Sequence, residues 1–237
     1  MIEAKALLAA VRAAGDRIGA IADGHLKDPV PSMPGYDVGS LLLHTGGFSA
    51  WVRECVATRE QAQPNLDVGD DALAFHVREH AALVAELERT DPTEEAWSWG
   101  TDQRVRFWYR RAAQELTVHR WDVENAVGAI SPIDANIGLD GIDEFVLEFG
   151  READGPPQLF GGTGETLRLN ASDADDYRAF RVDADRLVYV AEGVPDVTIT
   201  GSAGDLVLFM WGRLPPSTFE ITGDAGLAQR WHERVAI

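Results

Sequence analysis

RRAAQELTVHRWDVENAVG, residues 110–128, is the stretch on which the reading of the whole chain turns. It has no proline and its one glycine stands last, so the pattern predicts a single helix that stops at Gly128. Side chains four apart on a helix project from the same face. Glu115 and His119 therefore present a carboxylate and an imidazole together, and Asp122, in the next turn, stands where it can orient the imidazole. Upstream, His44 follows Leu41, Leu42 and Leu43, which predicts a buried helix face. A buried imidazole needs a polar partner. Two histidines and one glutamate form a known ligand set for a catalytic zinc ion that keeps one position open.

Spacing alone leaves an alternative open. A Glu and a His four apart also occur as an ordinary weak pair on a helix surface. His76 and His80 form a second i, i+4 pair on the face that carries Leu73, Leu83 and Leu87, and could equally be ligands or line a pocket.

The rest of the chain divides by its grammar. Residues 3–22 carry Leu7, Leu8, Val11, Ile18 and Ile21 near helical spacing, with Gly24 as a stop. Pro29, Pro31 and Pro34 break regular structure, Asp37 is a good cap for a helix over 38–57, and Asp70 or Asp71 starts a third helix that runs to about Arg89. A Trp-rich segment with Trp97, Trp99 and Trp108 leads into the fourth helix. Four such helices predict a bundle with its site in the core. Beyond Gly128, one short helix is expected over 140–149, then a Gly- and Pro-rich boundary at 154–164. Short strands are expected at 166–169, 180–182, 187–190, 197–200 and 218–221, with helices near 203–211 and 225–234. The fold class is thus α plus α+β: a helical bundle over 1–152 and a small mixed domain over 153–237.

Composition narrows the partners. The formal charge of −18, from 21 basic and 39 acidic residues, argues against nucleic acid and anionic membranes. The longest apolar run, Leu206 to Trp211, is far short of a membrane span, and the amino terminus reads as an amphipathic helix rather than a signal peptide. A cytoplasmic location is the expectation. Cys55 is the single cysteine, so no internal disulfide can form, no thiolate-rich metal site is expected, and a reactive sulfur could come from a small-molecule thiol.

The runs QELTVHRWDVENAVG (114–128) and DVGSLLLHTGGFSAWV (37–52) resemble the mycothiol-dependent maleylpyruvate isomerase family. The run VTITGSAGDLVLFMWGRLPPSTFEITGDAGLAQRW (197–231) is similar to that family's C-terminal domain, and 130–185 is the weakest part of the likeness. The resemblance implies a DinB-like four-helix bundle followed by a sterol-carrier-protein-like α+β domain. It implies a divalent metal, usually zinc, held by His44, Glu115 and His119. It further implies mycothiol bound as a thiolate, which adds to the cis double bond of maleylpyruvate and is eliminated after rotation to leave trans fumarylpyruvate. Two other readings stand beside this isomerase: a mycothiol S-transferase acting on an electrophilic small molecule, and a non-catalytic metal-dependent binding or sensor module. For a dianionic substrate, Arg213 is the first candidate cation and Arg78 the second. Trp108 and Tyr109, one to two turns ahead of Glu115, are candidates to line the pocket for the thiol.

Overall fold

The apolar stripe at the amino terminus forms α1, Ala4–Ala22, which buries Leu7, Val11, Ala14 and Ile18 along one face. In the computed structural model, which describes residues 2–150, 161–191 and 193–235, three more long helices follow. Helix α2 spans Val38–Thr58, α3 Ala72–Arg89 and α4 Val105–Val127. Capping chemistry sets their ends. Asp37 accepts the Ser40 N–H at 2.8 Å, Asp71 accepts that of Ala74 at 3.0 Å, and Gly128 closes α4 at φ 72°, a conformation glycine adopts without strain. Helix α2 packs mainly on α3, and α1 on α4. Cys55 is fully buried in α2, where burial raises its thiol pKa.

The second half is built on a five-stranded sheet. Its strands are β1 (Glu165–Ala171), β2 (Asp176–Val182), β3 (Leu187–Tyr189), β4 (Val197–Gly201) and β5 (Glu220–Gly223), in the order β3-β2-β1-β4-β5. Strand β1 runs antiparallel to β2 and parallel to β4, with Leu167 opposite Phe180 on one side and Val197 on the other. Alternation puts Leu167, Leu169, Phe180, Val182, Val197 and Ile199 on a buried face. Helices α5 (Ala135–Glu144), α6 (Ala203–Met210) and α7 (Ala225–Val235) pack against the sheet. Among the described residues no helix is long and apolar enough to cross a membrane.

Two boundaries differ from those expected. The short helix begins earlier, at Ala135, and ends as a π-helical turn over Phe145–Phe149. Contacts divide the chain into Met1–Ser131 and Pro132–Ile237 rather than after residue 152. The reason is that α5 belongs with the sheet: Gly138 lies directly on the Ala203–Gly204 backbone at the start of α6. Residues 154–160 of the expected boundary segment lie outside the described residues.

A methyl group at Gly138 would stand 2.5 Å from the Ala203 carbonyl carbon and 2.8 Å from the Gly204 nitrogen. Backbone cannot yield as a flexible side chain does. Gly138→Ala is therefore expected to destabilise the second unit by about 1–3 kcal/mol, read as a lower urea midpoint.

Candidate metal centre

Helix α4 runs unbroken through the quoted stretch, so Glu115 and His119 stand one turn apart on one face. Helix α2 brings His44 to the same point. His44 Nε2 lies 2.9 Å from Glu115 Oε1, and His119 Nε2 lies 3.2 Å from the same oxygen. The two imidazoles meet edge to face, with ring centres 4.8 Å apart. One ligand atom from each of the three residues falls within 4.8 Å of the other two, the only such His/Cys/Asp/Glu group among the described residues.

Neighbouring side chains fix each ligand. Arg111, one turn before Glu115, donates from Nη2 to Glu115 Oε2 at 2.8 Å and so holds the oxygen that faces away from the histidines. Asp122 lies 2.9 Å from His119 Nδ1, which must donate to the carboxylate, leaving Nε2 as the ligand atom. Asp122 is fully buried and also accepts the Ser32 hydroxyl at 2.5 Å. Burial would raise the Glu115 pKa, but the charge and hydrogen bond of His119, the bond from His44 and the charge of Arg111 hold it well below the usual carboxylate range. Burial would likewise lower that of His119, yet Glu115 and Asp122 together raise it to about 9. Without metal, protons bind the imidazoles to these carboxylates, and a divalent cation can take their place. The donor set, two imidazole nitrogens and one carboxylate oxygen, with Arg111 and Asp122 orienting Glu115 and His119, fits zinc.

Residues 7–124 match the mycothiol maleylpyruvate isomerase N-terminal domain, and residues 136–230 match the MDMPI C-terminal domain. The chain belongs to the mycothiol-dependent maleylpyruvate isomerase family. Two solved structures of mycothiol-dependent maleylpyruvate isomerase share the fold. A point mutant aligns with a TM-score of 0.66 at 13% identity over 93% of each chain, and the other structure at 0.65 and 14% over 90% of each. No curated protein sequence matches this family member significantly.

The candidate side chains of this isomerase-family chain have their own surroundings. His44 is not buried; its side chain is 41% exposed, because Leu41, Leu42 and Thr45 turn inward while Leu43 and His44 face solvent. Trp108 is fully buried among Trp51, Trp97 and Phe107, and its indole N–H donates to the Trp97 carbonyl. Tyr109 is also core, its hydroxyl donating to the carbonyls of Leu87 and Thr90. Neither aromatic has a polar atom to offer a thiol. Arg78 binds Glu79 at 2.9 Å and the Asp67 carbonyl at 2.5 Å, and lies over the Phe75 ring; among the described residues it makes no contact with the triad. Arg213 belongs to the second unit, just past α6, where its Nη1 donates to the Trp211 carbonyl at 2.8 Å. The sequence does not single out two supporting residues. Arg111 was visible as an i, i+4 partner of Glu115, but that spacing normally marks a solvent pair; Ser32 sits in the proline-rich turn and carries no signal of its own.

His76 and His80 do not form the rival site. His76 is fully buried and uses both ring nitrogens, Nδ1 with the Thr45 hydroxyl at 2.8 Å and Nε2 with the Gly15 carbonyl at 3.1 Å. His80 stacks on it at 5.9 Å, with Asp16 at 3.3 Å from its Nε2, but among the described residues these side chains do not bring three ligand atoms close enough to share one ion. Burial pushes His76 from its ordinary 6.5 down to about 4, only partly opposed by Gly15 and Asp16. The folded protein thus holds His76 neutral where the unfolded chain takes up a proton. Its contribution is complete above pH 6.5 and is lost as pH falls through about 4, amounting to roughly 3 kcal/mol. Denaturant unfolding followed from pH 7 to 4 should show this acid-side loss, and His76→Gln should flatten it.

Proposed function

We propose that the chain is a zinc-dependent enzyme that uses mycothiol to isomerise a cis-unsaturated acid of the maleylpyruvate type. The convergence of His44, Glu115 and His119 on one point carries this reading. Glu115 offers Oε1 alone, since Arg111 holds Oε2. Asp122 keeps the His119 tautomer that points Nε2 inward. Exposure of His44 leaves one side of the ligand set open to a small molecule, as a catalytic rather than a closed structural site requires. Bound there, a divalent metal would hold a thiol as its thiolate at neutral pH, the form that can add to a cis double bond and leave it trans. Family membership supports the thiol and the reaction class.

Metal analysis tests the ligands. His44→Ala and Glu115→Gln should lose stoichiometric zinc, Asp122→Asn should weaken zinc binding by about 10- to 100-fold, and His76→Gln should retain it. Full zinc in His44→Ala would sink the triad.

The reaction is tested by incubating zinc-loaded protein with mycothiol and maleylpyruvate, alongside other unsaturated and electrophilic acids. Mass spectrometry and chromatography should find the trans isomer with thiol unconsumed. A stable thiol adduct would assign S-transfer instead, and neither product across the panel would assign a metal-dependent binding module.

A further inference from the structure

The sheet of the second unit has a cavity on the face opposite its buried side chains. It encloses about 460 Å³ and is lined by Thr166 and Arg168 of β1, Tyr177 and Ala179 of β2, and Val190 and Val194 of the loop that follows β3. That volume falls in the range of small-ligand sites. Register explains the space. Ala179 stands directly across from Arg168 and is too small to fill the gap, while Tyr177, the diagonal neighbour, swings under the guanidinium at 3.8 Å.

The cavity contains one guanidinium, that of Arg168. Four other arginines of the unit hold a carboxylate: Arg178 with Asp143, Arg181 with Asp183, Arg186 with Asp185 and Arg230 with Asp224. Arg168 has no such partner among the described residues, and its Nε is shielded from solvent without a hydrogen-bond acceptor. Thr166 cannot answer it, since its hydroxyl donates to Asp196 at 2.8 Å. Among the described residues, that buried N–H is a donor left without an acceptor beside the cavity. The remaining wall is apolar, and Val194 at its edge is 96% exposed, an aliphatic side chain left in water.

We propose that this cavity is a binding site for a small monocarboxylate with an aliphatic body, its carboxylate taken by Arg168 and its chain lying against Ala179, Val190 and Val194. The site lies wholly within the second unit and does not depend on the metal reading. Tyr177 holds the guanidinium plane by stacking on its face, which leaves the in-plane N–H groups as the donors a carboxylate uses.

Titration of octanoate into the full-length, ¹⁵N-labelled protein tests this. Saturable amide shifts are expected at 166–168, 177–179, 190, 191, 193 and 194, and not around His44 and His119. The neutral octanamide should bind at least about tenfold more weakly, and Arg168→Gln should weaken octanoate by a similar factor, the scale of a charged hydrogen bond. Val194→Asp changes an exposed side chain, so the fold should stand whatever happens to Arg168→Gln; it should weaken octanoate by about threefold or more through like-charge repulsion. Absence of saturation up to about 10 mM octanoate, equal affinity for acid and amide, shifts centred on the histidines, or unchanged binding in Val194→Asp would each overturn the proposal.

Discussion

A single carboxylate oxygen, Glu115 Oε1, lies within 3.2 Å of two imidazole nitrogens that come from different helices. Such an arrangement needs either protons or a cation to hold it, and it needs the carboxylate to be fixed on its far side. The helical repeat supplies both halves at once. Arg111, Glu115 and His119 are successive members of one i, i+4 row on α4, so the clamp, the acid and the imidazole are aligned by backbone geometry before any tertiary contact forms. Asp122 then closes the row from the following turn. Only His44 has to be brought in by packing, and the fit of α2 into the bundle serves that end.

What could be read from the sequence follows the same division. Glu115, His119 and Asp122 share one helix, and their proximity is a consequence of spacing. The caps at Asp37 and Asp71 and the stop at Gly128 were equally local, and the structure uses all three. Exposure was harder, because it depends on where a helix is rotated. Three leucines before His44 suggested burial, yet the helix turns Leu43 and His44 outward. Trp108 and Tyr109 fail for the complementary reason: being near Glu115 in sequence says little about which side of α4 they occupy, and both lie in the core.

The second unit shows a different limit. Its strands were visible as short β-branched runs, and the observed strands overlap those expected, although β5 begins later than the run at 218 suggested. Its beginning was not visible, because the strongest breaker signals come after α5. What assigns α5 to the sheet is the absence of a side chain at Gly138, which lets two backbones touch. Such a contact carries no periodicity and is not marked by neighbouring residues. The setting of Arg168 is likewise a property of the folded sheet, since only the register shows that Ala179, and not a carboxylate, stands opposite.

The placement of Cys55 bears on how the chain would live with thiols. Sealed inside α2, with burial keeping it protonated, the single sulfhydryl cannot exchange with small disulfides or be capped by a passing thiol. A protein exposed to a millimolar redox pool would therefore keep a constant covalent state, and any sulfur chemistry measured in its presence would belong to the solute alone.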